Sequence, residues 1–143
     1  MLIEQISVFI ENKQGRLADV MNVLDKSGAD IRAMTIGDTT DYGIMRIIVD
    51  DTEKAINALR ADGCTAAVTK VIAFTIPDVS GALYKVVELL GDNGINVDYL
   101  YSAMGKTAGR ADIIIRVEDN DAAIKVLTEN GIQLIGSAEL CRE

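Results

Sequence analysis

The chain of 143 residues carries 14 Lys and Arg against 22 Asp and Glu, a formal net charge of −8 at pH 7. This acidic balance argues against nucleic-acid binding and against a polybasic membrane-surface segment, because both need clustered cations. With 49% hydrophobic and 25% charged residues the composition is typical of a globular protein. No apolar stretch approaches the roughly 20 residues of a bilayer span. The N-terminal residues show no secretory pattern, so we expect a cytoplasmic protein.

The residue types that are missing narrow the chemistry further. Histidine is absent, which removes the commonest general base and the commonest zinc ligand. The two cysteines, Cys64 and Cys141, lie far apart and form no motif with metal-ligand spacing. We therefore expect no catalytic residues, no metal and no cofactor, with Cys64 a partly buried thiol and Cys141 a thiol near the tail.

The sequence repeats itself. A shift of 66 residues aligns Ile10, Gly15, Leu17, Val20, Leu24 and Gly28 with Ile76, Gly81, Leu83, Val86, Leu90 and Gly94. A shift of 68 residues aligns Val49, Asp51, Ala55, Ile56, Leu59 and Gly63 with Val117, Asp119, Ala123, Ile124, Leu127 and Gly131. The pattern predicts a duplicated module, with one copy at residues 1–70 and the other at 71–143.

Each copy reads as strand, helix, strand, strand, helix, strand. In the first copy the predicted elements are residues 5–11, 15–28, 30–37, 42–49, 52–63 and 64–72. In the second copy they are residues 71–77, 81–94, 96–105, 111–117, 120–131 and 132–140. The strands are rich in β-branched residues, and the helices carry apolar residues at i, i+3, i+4 and i+7. Gly28 and Gly94 suit the end of each first helix, and Thr52 and Asn120 can cap each second helix.

The order of elements predicts the fold class. Two amphipathic helices per copy must bury their apolar faces, and one face of an antiparallel sheet supplies the partner surface. We therefore predict an α+β protein, in which a ferredoxin-like βαββαβ sandwich with helices on one face of the sheet occurs twice in tandem. No linker rich in Gly, Pro or Ser separates the copies at Lys70–Val71.

Both copies carry a short loop between the first strand and the first helix, NKQGRL at residues 12–17 and PDVSGAL at 77–83. With the βαββαβ order and the following segments ADIRAM and INVDYL, these loops resemble the ACT domain. This resemblance covers essentially the whole chain. It implies small regulatory modules that bind amino acids and usually work in pairs. Where many family members have Arg-Pro before the loop glycine, this chain has Lys13-Gln14 and Val79-Ser80, so the resemblance does not name the amino acid.

The loops suit a carboxylate. Gly15 and Gly81 have no side chain, so a ligand can approach the first helical turn. There the amides of Arg16 and Leu17, or of Ala82 and Leu83, meet it at the positive end of a helix.

The resemblance adds further ligand residues: Asn12 and Asp30 in the first copy, and Asp78 and Asn96 in the second. Where family sites combine a loop and a strand from opposite modules, Asn12 would pair with Asn96 and Asp78 with Asp30. Sites within one module would instead pair Asn12 with Asp30 and Asp78 with Asn96. An amide pair suits a zwitterion, whereas two carboxylates repel one.

Each of these residues also has a purely structural explanation. Gly15 and Gly81 can be turn residues, Asn12 and Asp78 can be caps, and Asp30 and Asn96 can be loop residues after a helix.

The function expected from the resemblance is a standalone regulatory protein. It would bind an amino acid at interfaces between its modules and signal to a partner enzyme of amino-acid metabolism. One alternative is a structural or dimerisation partner subunit without a ligand. Another is a small enzyme such as an acylphosphatase-type hydrolase, which is disfavoured because the loop at 77–83 has no Lys or Arg. A homodimer is expected because paired helices or sheet edges often leave apolar surface uncovered.

Overall fold

The computed structural model of the chain describes residues 1–38, 40–104 and 107–141. Residue 105, the predicted end of one strand, lies outside the described residues. In chain order the elements are β1 (Ile3–Glu11), α1 (Arg16–Ser27), β2 (Ile31–Asp38), β3 (Tyr42–Val49), α2 (Thr52–Ala61), β4 (Ala66–Pro77), α3 (Ala82–Asp92), β5 (Val97–Ser102), β6 (Arg110–Val117), α4 (Asn120–Glu129), β7 (Gln133–Ile135) and α5 (Ser137–Leu140). The predicted duplicated βαββαβ order is confirmed.

The chain divides into two compact units. The N-terminal unit is Glu4–Thr69, and the C-terminal unit groups Met1–Ile3 with the chain from Lys70 onward. The division falls inside β4, which is one uninterrupted strand across the predicted junction of the copies. The predicted absence of a linker therefore corresponds to a continuous strand, β4.

In the N-terminal unit the strands lie in the order β2-β3-β1-β4, and the paired neighbours β2–β3 and β1–β3 are antiparallel. Phe9 N–H donates to Thr65 O at 3.0 Å, just before β4 begins. Alternate residues of β1 and β3, together with one face of α1 and α2, form a single buried cluster. Its strand and helix members include Ile6, Val8, Ile10, Met45, Ile47, Val20, Leu24, Ile56 and Leu59. The predicted helix stripes thus face the sheet, except that Leu17 at the start of α1 is 40% exposed.

The C-terminal unit repeats this arrangement with the order β7-β4-β6-β5. Its core centres on Phe74 of β4, which no solvent reaches, and packs strand residues against α3 and α4. The predicted fourth strand at residues 132–140 is only partly correct, since the strand stops at Ile135 and α5 follows from Ser137. Gly136 separates the two and is extended, with φ −96 and ψ 175.

The helix caps differ from the prediction by one residue. Asp51, not Thr52, caps α2, because its carboxylate accepts from Lys54 N–H at 3.1 Å. Asp119, not Asn120, caps α4 in the same way through Ala122 N–H at 3.1 Å. Both aspartates have the extended backbone that an N-cap requires. A carboxylate there also favours the positive helix end.

Candidate functional site

The loop between β1 and α1 is a tight turn. Lys13 N–H donates to Glu11 O at 2.9 Å, and Arg16 N–H donates to Lys13 O at 3.1 Å. Gly15 caps α1 with φ +81 and no side-chain hydrogen bond. This left-handed conformation favours glycine over residues with a Cβ, so backbone geometry alone accounts for the residue type.

The loop between β4 and α3 has the same construction. Val79 N–H donates to Pro77 O at 2.9 Å, and Ala82 N–H donates to Val79 O at 3.2 Å. Gly81 caps α3 with φ +87. The two loops therefore match in hydrogen bonding as well as in sequence, which makes them one structural feature present twice.

The amides available to a ligand begin one residue later than the sequence indicates. Arg16 and Ala82 donate within their turns, so their N–H groups are occupied. Among the described residues, no acceptor pairs with the N–H groups of the next two positions in each helix, Leu17 and Ala18 or Leu83 and Tyr84. Two unpaired amides at a positive helix end are able to hydrogen-bond to a carboxylate.

Asn12 lies at the entrance to the first loop, with its side chain held in place. Its backbone N–H donates to Asp41 O at 2.9 Å, and its Nδ2 donates to Thr40 O at 3.3 Å. In the described part of the chain no donor reaches Asn12 Oδ1, so this oxygen can accept from an ammonium. Asp78 enters the second loop likewise, with its N–H donating to Gly109 O at 2.9 Å.

The Arg16 side chain belongs to a different surface from the Arg16 amide. Its guanidinium lies 3.9 Å from the Sγ of buried Cys64. The residue lines a cleft of about 670 Å³ between α1 and α2, whose other polar members include Asp19, Lys26 and Asp62. Among the predicted loop residues, Arg16 therefore offers neither a free amide nor its positive charge to the loop.

A charged pair flanks the first loop. Lys13 Nζ lies 2.8 Å from the Glu11 carboxylate. The hydrogen bond and the charge of Lys13 lower the pKa of Glu11, and Glu11 raises the pKa of Lys13 for the same reasons. The ammonium is thus partly neutralised where a ligand would approach.

On the first turn of α3, a hydrogen bond to Glu88 raises the pKa of exposed Tyr84.

The residues that open β2 and β5 differ in their surroundings. Asp30 N–H donates to Asp50 Oδ1 at 2.8 Å, and Arg32 Nη1 donates to Asp30 Oδ2 at 2.7 Å. The Arg32 side chain is only 9% exposed. Asn96, the counterpart of Asp30, donates from Nδ2 to Asp98 Oδ1 at 3.3 Å. The Asp30 carboxylate therefore forms an ion pair with the buried guanidinium of Arg32. The sequence analysis did not predict this contact.

Loop and strand residues of the same unit lie at opposite ends of the sheet. Asn12 bonds to Asp41, next to the start of β3, whereas Asp30 bonds to Asp50 after its end. The seven steps along β3 amount to about 23 Å at ~3.3 Å per residue. In the C-terminal unit β6 separates Asp78 from Asn96 in the same way, since Pro77 pairs with Arg110 and Val97 with Val117. One amino acid cannot span this distance within a unit.

Each loop has a cavity beside it. The first adjoins a small cavity of about 130 Å³, lined by Ile10, Glu11, Asn12, Lys13, Leu17, Ile36 and Gly43. The second adjoins a groove of about 490 Å³ along α3, whose lining includes Pro77, Val79, Ala82, Val86, Leu89 and Ile132. Ile36 and Gly43 were missed by the sequence analysis. No sequence signal indicated them, because the pairing that brings Gly43 beside Ile10 is seen only in the β1–β3 register of the structure.

The residues that the structure describes contain no cluster of His, Cys, Asp or Glu able to hold a metal ion. None of the helices in this part of the chain is long and apolar enough to cross a bilayer.

Comparison with known proteins places the whole chain in a family. A family model described as an ACT domain pair matches residues 1–142. A protein of known structure from Bacteroides thetaiotaomicron is 36% identical, with coverage of 100% of this chain and 98% of that chain and a TM-score of 0.92. No curated protein matches the sequence.

More distant structures share the fold. The regulatory subunit of aspartate kinase from Thermus thermophilus, in a ligand-free form, is 19% identical, with 88% and 90% of the two chains covered and a TM-score of 0.65. Aspartate kinase from Clostridium acetobutylicum is 14% identical, with 88% of this chain but 32% of that chain covered and a TM-score of 0.55. With two βαββαβ units and a family match over nearly its full length, the chain belongs to the ACT domain pair family.

Proposed function

We propose that this protein is a cytoplasmic, homodimeric regulatory protein that binds an amino acid at its loop sites and signals to a partner enzyme of amino-acid metabolism. The observation that carries the proposal is the recurrence of one loop. In both units a left-handed glycine precedes two unpaired helix amides. Every helix leaves its first amides unpaired, so the feature that supports a ligand site is their recurrence at the same turn with a cavity beside each loop.

The chemistry of the first loop matches a zwitterion. The amides of Leu17 and Ala18 can bind the carboxylate, and Asn12 Oδ1 can accept from the ammonium. Each charge-assisted hydrogen bond contributes roughly 1.5–3 kcal/mol, and the helix end adds about 0.3–1 kcal/mol. These contributions are consistent with a dissociation constant in the range of about 1 μM to 1 mM, which suits a sensor of a metabolite.

A regulatory role without catalysis fits the relatives. One structural neighbour is a regulatory subunit of aspartate kinase, and another is an aspartate kinase of which this fold forms part. The chain itself has no histidine, the residue most often used as a general base at neutral pH. We infer that the ligand changes a contact with a partner enzyme and is not converted.

The alternative is a structural or dimerisation subunit that binds no ligand. It is favoured by the conformations of Gly15 and Gly81, because a positive φ explains both glycines without any ligand. Exposed Val79 and Tyr84 beside the second loop also suit a protein contact. A substitution that keeps the turn but obstructs the ligand separates the two functions.

Gly15→Asn is that substitution. Asparagine tolerates the left-handed region better than other non-glycine residues, and a Cβ at position 15 meets nothing within 4 Å. We expect the unit to fold while the added side chain occupies the approach to the Leu17 amide. Calorimetric titration with the amino acid that binds should show affinity reduced at least about tenfold, or 1.4 kcal/mol.

Gly63→Asn is the matched control, since Gly63 lies in the same unit with φ +85 and equally open space. It should cost similar stability and leave affinity unchanged. For the second loop, Gly81→Asn is compared with Gly131→Asn in the same manner. Equal affinity in Gly15→Asn, Gly81→Asn and both controls would contradict ligand binding at the loops.

The partner of Asn12 in the site stays a prediction from the family resemblance, which pairs it with Asn96. Asn12→Ala and Asn96→Ala should each weaken binding by about 1.5–3 kcal/mol if they bond to a ligand charge. Their double mutant should lose less than the sum, because both hold one ligand. Asn12→Ala with Asp30→Ala should not couple in this way within a unit. Additive losses for Asn12 and Asn96 in calorimetry would contradict the pairing.

A further inference from the structure

The cavity beside the first loop has an apolar part that is formed by aliphatic side chains. Leu17 and Ile36 line it while remaining 40% and 41% exposed, although both are large aliphatic residues. Ile10 contributes a third aliphatic wall. Removing such surface from water is favourable, so the three side chains offer a place for an apolar group of a ligand.

Gly43 helps to keep this cavity open. It pairs with Ile10 in the β1–β3 register and lines the cavity. A Cβ at this position would lie 3.3 Å from Gly37 O and 3.6 Å from Ile36 Cγ2. The absent side chain therefore leaves space next to Ile36 that any other residue would partly fill.

The size of the cavity limits what enters it. Its volume is about 130 Å³, and an apolar cavity of about 150 Å³ accepts benzene. A branched aliphatic side chain fills this volume, whereas part of an indole ring would extend out of the open cavity into solvent. A charged side chain would lose hydration among the three aliphatic residues, which is costly, and the charged residues of the lining, Glu11 and Lys13, are already paired with each other.

The cavity shares residues with the zwitterion-binding groups. Asn12, whose oxygen can accept from an ammonium, and Leu17, whose amide is unpaired, both line it. We propose that this cavity is the side-chain pocket of the first loop site, and that the ligand is an α-amino acid with a short branched aliphatic side chain. This inference rests on the proposed function and specifies its ligand class.

The C-terminal unit has a different lining at the corresponding positions. Ile36 pairs with Met45 in the N-terminal unit, and Ser102 pairs with Ile113 in the C-terminal unit. Likewise Ile10 pairs with Gly43, and Ile76 pairs with Ala111. Ser102 thus stands where the N-terminal unit has Ile36, and Ala111 stands where it has Gly43. The second loop therefore does not share the preference for a branched aliphatic side chain.

The test is calorimetric titration of the intact chain with valine, leucine, isoleucine, alanine, aspartate, lysine and tryptophan. We expect at least one of valine, leucine and isoleucine to bind about tenfold or more tightly than alanine, because a methylene in an apolar pocket is worth about 10- to 200-fold. Ile36→Ser and Gly43→Ala, which copy the C-terminal unit, should each remove most of this preference. Ser102→Ala is the matched control and should leave it unchanged.

The outcomes separate the pocket from the proposed function. Binding of aspartate or lysine that Gly15→Asn abolishes would overturn the pocket and support amino-acid binding at the loop. Aliphatic binding unaffected by Ile36→Ser would also overturn the pocket, and this variant tests it even if Gly43→Ala perturbs folding. If these seven amino acids and the remaining thirteen all fail to bind, the proposed function fails and the pocket with it.

Discussion

Replacing Phe74 with Ala is expected to lower the free energy of unfolding by about 3–5 kcal/mol, the range for a buried phenylalanine. Phe74 lies in the middle of β4, between Ile113 of β6 and Leu134 of β7 in the sheet register. It is 0% exposed and the largest fully buried side chain of the described core. Truncation would leave a cavity where α3 and α4 cover the sheet. Urea denaturation followed by circular dichroism measures the loss.

Phe9→Ala is the matched control, because the chain has two phenylalanines and both lie on strands. Phe9 is 54% exposed, so its truncation should change the free energy of unfolding by at most about 0.5 kcal/mol, as for most surface substitutions. A cost at Phe9 equal to that at Phe74 would show that the C-terminal core is not organised around Phe74.

Asp30→Ala is expected to destabilise the protein by about 1.5–3 kcal/mol, since it removes a hydrogen bond between charged groups. The carboxylate is 58% exposed, but its partner Arg32 is almost wholly buried. Arg32 Nε and Nη2 already have no acceptor among the described residues. Loss of Asp30 would leave the buried guanidinium without compensation, which costs more than the pair itself contributes. Thermal or chemical denaturation measures the effect.

Two comparisons make this prediction specific. Asn96→Ala changes the corresponding residue of the other unit, whose bond joins two exposed side chains, and should have little effect on stability. Arg32→Met removes the buried charge, so adding Asp30→Ala to it should cost much less than Asp30→Ala alone. An unchanged cost in the Arg32→Met background would contradict stabilisation through the Asp30–Arg32 pair, because the hydrogen bonds of Asp30 with Asp50 use the Asp30 backbone and persist in Asp30→Ala.

The fold could be predicted because each element occurs twice in the sequence, so that the two copies support the same assignment. Apolar residues at helical spacing in both copies, such as Leu24 and Leu90, indicated the faces that lie in the two cores. The prediction was wrong where local chemistry decides between neighbouring residues. The cap is Asp51 and not Thr52, because the Asp51 carboxylate accepts a hydrogen bond from Lys54 N–H. At the C-terminus, Gly136 ends the short β7 after Ile135, a boundary that apolar patterning does not mark.

The candidate site could be predicted only as far as it is local in sequence. The loop glycines and the helix amides are neighbours along the chain, and their turn recurs in both units. The contact of Arg32 with Asp30 depends on which strand residues turn inward at the irregular register between Ile31 and Ala33. The cavity depends on the pairing of strands distant in sequence, which brings Gly43 beside Ile10. Neither follows from residue spacing alone.

Amino-acid binding at the loops is tested most directly by titrating isotope-labelled protein with each amino acid at about 10 mM, an excess over the weakest affinity expected of a few charge-assisted contacts. Backbone amide resonances are followed by NMR. We predict that at least one amino acid, an aliphatic one for the first loop, shifts the amides of Leu17 and Ala18 while those around Gly63 stay unchanged. The absence of any saturable shift at Leu17, Ala18, Leu83 or Tyr84 with all twenty amino acids would contradict the account.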